Sequence, residues 1–475
     1  MKAQIYEIFP TLKINKIRPS LHISSPRPNH CLVQPFKICK IRASLFFLLC
    51  FLFLGLLTGC SSVDKPKVLA EVPTPVVSKE KNSKTEDETA SADITPNVSA
   101  ATDSNTDLSK DLLPNLNNTA SSIITTPTPT MSPSSQVTLL AVGDNLIHIE
   151  VVESGEQEDG SLNYDHLYSN LKEEISAADI AVVNQETILG GDDFKYSGYP
   201  VFNSPTEIGD ALINAGFDVI LQATNHTMDM GEKGIDHAIA YWKEHPKVVT
   251  LGINESQEDS EEITIIEKNG IKIAMLNYTY SLNGYSLPAD KPYLVSMLDK
   301  DKMEQDILKA EELADFTIVF PHWGTEYVYA ATSSQTDLTS FYYDLGVDLV
   351  IGSHPHVLEP VEWIETEKGH KMLVYYSLGN FLSYQKEAPR MLGGIASVTI
   401  TKDKNGTYIS DASITPIVTH YEHGPADYNY GIYKLSDYTE ALASVHGVSD
   451  IAQQGALTYQ KTIDLAKKVL GSWYQ

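Results

Sequence analysis

From Gln136 onward, short apolar runs alternate with stretches in which apolar residues recur every three or four positions. The runs are Val137–Val142, Ile180–Val183, Val219–Ala223, Phe316–Phe320 and Leu349–Ile351. Continuous apolar runs of this length suit strands buried on both faces. Between them, Thr206–Ala215, Glu232–Glu244, Met303–Ala314 and Leu338–Leu345 have helical spacing, and Asp229 is placed to cap the helix that begins near Gly231. Two hairpins interrupt the alternation, Ile263–Glu267 with Ile271–Leu276 around Asn269-Gly270, and Gly394–Thr401 with Tyr408–Val418 around Asn405-Gly406. Strands alternating with helices predict an α/β layered fold, with antiparallel strands added to it.

Each of the later runs is opened by an aspartate (Asp179, Asp218, Asp315, Asp348), which reads as stabilising the turn into the strand. Each run closes in polar residues. Val137–Val142 leads into Gly143-Asp144-Asn145-Leu146-Ile147-His148, and Ile180–Val183 into Asn184-Gln185-Glu186. The other three lead into Thr224-Asn225-His226, Pro321-His322-Trp323-Gly324 and Gly352-Ser353-His354-Pro355-His356. Ligands of open α/β sheets bind beyond the carboxyl ends of strands, where these clusters fall.

Ahead of the domain the pattern is different. Residues 43–57 form an apolar run preceded by Lys37, Lys40 and Arg42, which reads as a secretory signal too short for a membrane span. It ends in Leu57-Thr58-Gly59-Cys60, which resembles a bacterial lipobox and implies that Cys60 becomes the lipidated first residue of the mature protein. Residues 61–135 are rich in Ser, Thr, Pro and Asn with few aromatics, and read as a disordered tether. The expected location is therefore extracytoplasmic, anchored to the membrane of a bacterial envelope.

All four cysteines lie at or before residue 60, so the domain has no thiol nucleophile, cysteine zinc site or internal disulfide. Residues 61–475 carry 27 basic and 61 acidic side chains, a balance of −34. A surface that acidic excludes nucleic acid as a partner.

The strand ends offer Asp144, His148, Glu186, Asn225, His322, His354 and His356. Carboxylate, amide oxygen and imidazole suit hard and borderline divalent cations. Seven such groups are too many for one ion and about right for two sharing a bridging carboxylate. Two metals roughly 3.5–4 Å apart can hold a phosphoryl or acyl oxygen and neutralise the leaving oxygen. His226, beside Asn225, is placed to give a proton to a leaving group. Trp323, Glu326 and Tyr327 either line a cleft or pack together, Asn380 reads as tying down a loop, and His237 and His245 read as surface residues.

The motifs G-D-N-L-I-H, V-N-Q-E, T-N-H-T-M-D-M-G, H-W-G-T-E-Y, G-S-H-P-H-V and Y-S-L-G-N-F, in this order over about residues 136–400, resemble the CapA family of poly-γ-glutamate capsule biosynthesis, or PGA_cap. That family is similar to the calcineurin-like metallophosphoesterases, so the resemblance implies a four-layer α/β/β/α sandwich with mixed sheets and a dinuclear site. It implies that Asp144, His148 and His356 bind a first metal, that Glu186 bridges, and that Asn225, His322 and His354 bind a second, with His226 as the catalytic histidine. The wider superfamily has Asp-x-His where this chain has Asp144-x-x-x-His148, so the resemblance is weakest at His148. The domains expected are a signal with lipobox (1–60), a disordered linker (61–135), the CapA-like domain (136–420) and a helical C-terminal extension (421–475).

Two functions of different classes follow. One is a lipid-anchored metal-dependent hydrolase, with Mn, Fe or Zn, acting on a phosphoester or an envelope-polymer bond. The other is a non-catalytic accessory protein that binds or exports poly-γ-glutamate beside a membrane synthase.

Overall fold

The computed structural model describes residues 5–7, 134–367, 369–423, 428–451 and 455–475. The signal, Cys60 and nearly all of the expected tether lie outside the described residues. Among the described residues no helix is long and apolar enough to cross a membrane.

Two mixed sheets carry the fold. With strands numbered in chain order, one sheet runs β1 (Ile5–Glu7), β6 (Thr264–Lys268), β7 (Ile271–Thr279), β8 (Phe316–His322), β9 (Leu349–Ile351), β11 (Lys371–Tyr375), β10 (Val361–Glu365). The other runs β15 (Tyr428–Lys434), β14 (Gly406–His423), β13 (Leu392–Asp403), β2 (Ser135–Asn145), β3 (Ile180–Gln185), β4 (Val219–Leu221), β5 (Val249–Leu251). A short β12 (Asn380–Leu382) lies parallel to the end of β2. The strands that close in chemistry, β2, β3 and β4 in one sheet and β8 and β9 in the other, are parallel to their neighbours in that group, so their carboxyl ends share one rim in each sheet. Both expected hairpins form, as β6–β7 and β13–β14.

Period-two alternation divides the side chains of the first sheet between two apolar clusters. Ile273, Met275, Ile318, Phe320, Leu349, Ile351, Leu373 and Tyr375 join a core shared with the second sheet and with the helices Glu207–Ala215 and Gly231–Lys243. Their neighbours Ala274, Leu276, Val319, Val350 and Val374 face the helices Lys300–Leu313 and Ser333–Leu345 in a separate cluster. Helix, sheet, sheet and helix are therefore stacked as the α/β/β/α sandwich that the motifs imply.

The four strand-opening aspartates act across strands. Asp179 accepts from the backbone N–H of Thr138, Asp218 from Ala181, Asp315 from Lys272 and Asp348 from Thr317, all at 2.9 Å. Each covers a backbone donor of the adjacent strand one residue ahead of where the two strands begin to pair.

Three local expectations are corrected. The helix Gly231–Lys243 is preceded by Met230 at its N-cap and receives no side-chain cap, because Asp229 is engaged elsewhere. The sheet continues past residue 420, since β14 ends at His423 and β15 pairs with it before three short helices, Glu440–Val445, Val448–Ile451 and Tyr459–Leu470, begin. His237 is half-buried, with Nδ1 3.0 Å from the Leu189 carbonyl oxygen, rather than free on the surface.

Candidate functional site

Two close approaches of backbone bring the strand ends together. A Cβ on Gly143 would fall 1.9 Å from the Gly379 carbonyl oxygen, and one on Gly352 would fall 2.1 Å from that of Tyr376. Only glycine fits either place. Asp144 then follows Gly143 with its N–H donating to Gly379 O at 2.9 Å, and the loop after Gly352 turns directly into the site. In that loop His354 and His356 have φ of 100° and 57°, left-handed conformations uncommon for residues with a Cβ. The strain is offset by what the turn achieves. The His354 N–H points at Asp144, 3.2 Å from Oδ1, and the His356 ring is carried to Asp144 and Glu186.

The result is a buried cluster. Asp144, Glu186, Asn225, His322, His354 and His356 are each no more than 3% exposed. His356 Nδ1 is 3.0 Å from Asp144 Oδ2, and its Nε2 is 3.6 Å from Glu186 Oε1. His322 Nε2 is 2.8 Å from Asn225 Oδ1 and 3.9 Å from Glu186 Oε1. Ligand atoms of Asp144, Glu186 and His356 lie within 4.8 Å of one another, and so do those of Glu186, His322 and His354. Glu186 belongs to both trios, the position a bridging carboxylate requires. Six of the seven residues expected as ligands therefore converge.

His148 does not join a trio. Its Nδ1 lies 3.2 Å from the Leu146 carbonyl oxygen and accepts from the Tyr384 N–H at 3.2 Å, and its ring packs edge-on against Phe202. The extra residues between Asp144 and His148 carry it onto the start of the next helix, and burial pushes its pKa down to about 3.

The unpaired atoms state what the cluster lacks. Both carboxylate oxygens of Glu186 and Nδ1 of His354 are buried without a hydrogen-bond partner. Burial holds the Glu186 carboxyl well above the usual carboxylate range, and it pushes His322 and His354 well below the usual imidazole value. His356 goes the other way: burial opposes its charge, but Glu186 and Asp144 together raise its pKa to about 9. The carboxylates of Glu186 and Asp144 thus favour a proton on His356, while burial keeps His322 and His354 neutral and free to ligate. This donor set, short of positive charge and offering oxygen and neutral nitrogen, fits divalent cations.

The loop after β4 supplies the second functional element. Thr224 Oγ1 donates to the Glu186 carbonyl at 2.7 Å and accepts from the His226 N–H at 3.1 Å, which fixes Asn225 and His226 beside the end of β3. His226 Nδ1 lies 2.8 Å from Asp229 Oδ2, a carboxylate that also accepts from the Phe202 N–H at 2.7 Å. This leaves Nε2 as the nitrogen able to exchange a proton.

Several site residues carried no separate signal in the sequence. Asn184 donates to Asp144 Oδ1 at 2.8 Å, and the Ser353 hydroxyl meets His322 Nδ1 at 2.9 Å. Exposed Glu326 brings a carboxylate to His354 and His356. Asn380 ties down its loop, as expected, but its Oδ1 also lies 3.1 Å from His356 Nδ1. Trp323 is packed in the core, with its indole N–H donating to Tyr376 O at 2.9 Å, whereas Tyr327 is half-exposed near His356. Asn184 and Asp229 lie within the quoted motifs and were findable there. Ser353 is equally close, but its role depends on the turn.

A two-sheet α/β/β/α sandwich that gathers acid, amide and imidazole side chains at its strand ends defines the class, a layered α/β protein with a candidate divalent-metal site. Within that class, a family model described as bacterial capsule synthesis protein PGA_cap matches residues 138–385, and the chain belongs to this family. It is 28% identical over 258 residues to the PGA biosynthesis protein CapA of Bacillus subtilis (strain 168), covering 52% of this chain and 63% of that one. It is 32% identical over 177 residues to the capsule biosynthesis protein CapA of Bacillus anthracis, covering 36% of this chain and 41% of that one. The matches thus span less than two thirds of either relative. Among solved structures, the calcineurin-like phosphoesterase YfkN from Bacillus subtilis is similar at a TM-score of 0.37 and 16% identity, covering 70% of this chain and all of that one, too distant to carry an argument about activity.

Proposed function

We propose that this protein is a lipid-anchored, extracytoplasmic, metal-dependent hydrolase of capsule biosynthesis, acting on a phosphoester or an envelope-polymer bond. The observation that carries the reading is the His226–Asp229 pair beside the Glu186 cluster. Holding a polymer needs no oriented proton donor; breaking a bond does.

In this reading Asp144, Glu186 and His356 would hold one divalent ion, and Glu186, Asn225, His322 and His354 would hold another. Such ions, Mn, Fe or Zn, would supply Lewis-acid polarisation of the scissile group. The protein's own residues do the rest. Asn184 and the His354 N–H hold Asp144 aimed inward, and Ser353 sets the orientation of His322. Asp229 holds the Nδ1 proton of His226, so that Nε2 delivers a proton to the leaving atom. Lipidation at Cys60 and the 61–135 tether place the domain beside a membrane synthase, where poly-γ-glutamate or another envelope polymer is at hand.

The test is metal content by elemental analysis, beside a His354→Ala, His356→Ala double variant, followed by a screen of phosphomonoesters, phosphodiesters and γ-glutamyl amides. About two equivalents of metal, lost in the variant, with turnover of one class, supports the reading. Bound metal without turnover of any class sinks the hydrolase and leaves the accessory role, in which the protein binds or exports the polymer. Cys60→Ala, assayed by membrane fractionation, tests the anchor separately.

A further inference from the structure

The chain contains one arginine beyond residue 42, Arg390. In a region with a charge balance of −34, its position carries information. The Arg390 guanidinium lies over the Tyr327 ring with Cζ 3.4 Å from the centroid, and that ring is 6.1 Å from the His356 ring. Both halves of this stack are fixed by the site itself. Tyr327, at a φ of 66°, donates its N–H to the Pro355 carbonyl, between the two loop histidines, at 2.8 Å. Asn380, fully buried, contacts His356 through Oδ1 and donates from Nδ2 to the Arg390 carbonyl at 3.0 Å. One amide side chain thus connects a candidate metal ligand to the segment bearing the arginine.

An arginine held flat on an aromatic ring keeps the edge of its fork free. Here one ion-pair partner is present, Glu387 at 2.7 Å from Nη1, in a pair whose side chains are 21% and 30% exposed. Such a pair contributes little to stability and leaves most of the five N–H donors uncommitted. The guanidinium edge matches a carboxylate or a phosphate, which it binds through two parallel hydrogen bonds.

We propose that Arg390 is the specificity-determining residue of this site, recognising a second anionic group of the substrate, a carboxylate or a phosphate set away from the reacting bond. The proposal takes the location of the reacting group from the hydrolase reading, but it concerns binding and is measured without turnover. It explains how an acidic protein selects an anionic polymer: the lone arginine at the rim meets one repeat unit while the next lies over the metal ligands. Glu387 then acts as the internal competitor that the substrate anion displaces or shares.

The test is calorimetric titration of the metal-loaded protein with a short γ-glutamyl oligomer, a short glycerol-phosphate oligomer and p-nitrophenyl phosphate, which has a single anionic group. Arg390→Gln is expected to weaken one oligomer by roughly tenfold or more, and the oligomer affected distinguishes carboxylate from phosphate. Arg390→Lys, with charge but no fork, is expected to fall between parent and Arg390→Gln. Glu387→Gln is expected to tighten the same oligomer, and p-nitrophenyl phosphate is expected to bind all four proteins alike. A folded Arg390→Gln protein with the parent's metal content that binds both oligomers as the parent does overturns the proposal. So does a parent that binds neither oligomer, or a Glu387→Gln variant that loses affinity as Arg390→Gln does. Absence of turnover in the parent counts against the hydrolase reading and leaves these binding differences to be read independently.

Discussion

Asp229 and His226, three residues apart, face each other across 2.8 Å, and the carboxylate is fully buried. A helix cap at Asp229 would have turned its oxygens toward Glu232 and left the imidazole free to rotate. Asp229→Asn keeps the shape but can present an N–H to Nδ1, which removes the acceptor that holds the Nδ1 proton when Nε2 gives its own to the leaving atom. Turnover of the substrate found by screening is expected to fall by roughly 10²–10⁴, with metal content and melting temperature unchanged. Single-turnover rates and elemental analysis on the same preparation check this. Loss of metal in parallel with activity would instead make Asp229 a structural support of the ligand loop.

Glu186 has two buried oxygens and no donor. Without a cation that carboxylate is a cost to the fold, so Glu186→Gln is expected to move two quantities in opposite directions. Bound metal should fall below the parent's. The chelated variant should be more stable than the chelated parent by about 1–3 kcal/mol. Urea midpoints with and without chelator measure both. A chelated variant less stable than the chelated parent would show that Glu186 is satisfied by the protein itself.

The candidate ligands were readable from sequence because strand ends leave a local trace: an apolar run, then Asp, Glu, Asn or His. Asp144, Glu186, Asn225, His322, His354 and His356 all follow that grammar, and all converge. The residues that were not readable act across the fold. Ser353 and Asn380 matter through partners 31 and 24 residues away. Glu326 and Tyr327 read as either lining a cleft or packing, and the choice was open because the loop's path depends on a left-handed tyrosine, which no periodicity announces. His148 has the right side chain, but the three residues before it carry the ring past the cluster. β15 was hidden because Tyr428–Lys434 is short and carries Asn429 and Gly431, residue types depleted in strands.

Gly143 and Gly160 separate two reasons for glycine. Gly143 is crowded, with a Cβ position 1.9 Å from Gly379 O, and Gly160 has open space but a φ of 83°. Gly143→Ala must push β2 from the Gly379 turn and displace Asp144. It is expected to destabilise by about 3 kcal/mol and to lose metal. Gly160→Ala is expected to cost about 1–2 kcal/mol and to keep it. Equal metal content in the two variants would mean that the Gly143–Gly379 contact does not position Asp144.

Glu359 gives the fold a pH dependence separate from the Glu186–histidine cluster. Its Oε2 accepts from Gln335 Nε2 at 2.6 Å, while Gln335 Oε1 closes the capping box at Thr332 by accepting from its N–H at 2.8 Å. The other Glu359 oxygen is buried without a partner. Burial, partly offset by the Gln335 bond, pushes the carboxyl pKa up to about 8. The folded protein therefore keeps a proton that the unfolded chain releases near the ordinary glutamate value. The stability this group contributes is complete below that value, declines as pH rises toward 8, and is constant above it. Glu359→Gln retains an acceptor for Gln335 and has no proton to lose. Relative to the parent it is expected to gain stability steadily from about pH 5 to pH 8, by on the order of a few kcal/mol, and then to level off. Urea midpoints at half-unit pH steps, with chelator in both samples, give the difference curve. Parallel curves for variant and parent would place Glu359 ionised in the folded state and move the pH dependence to the histidine cluster.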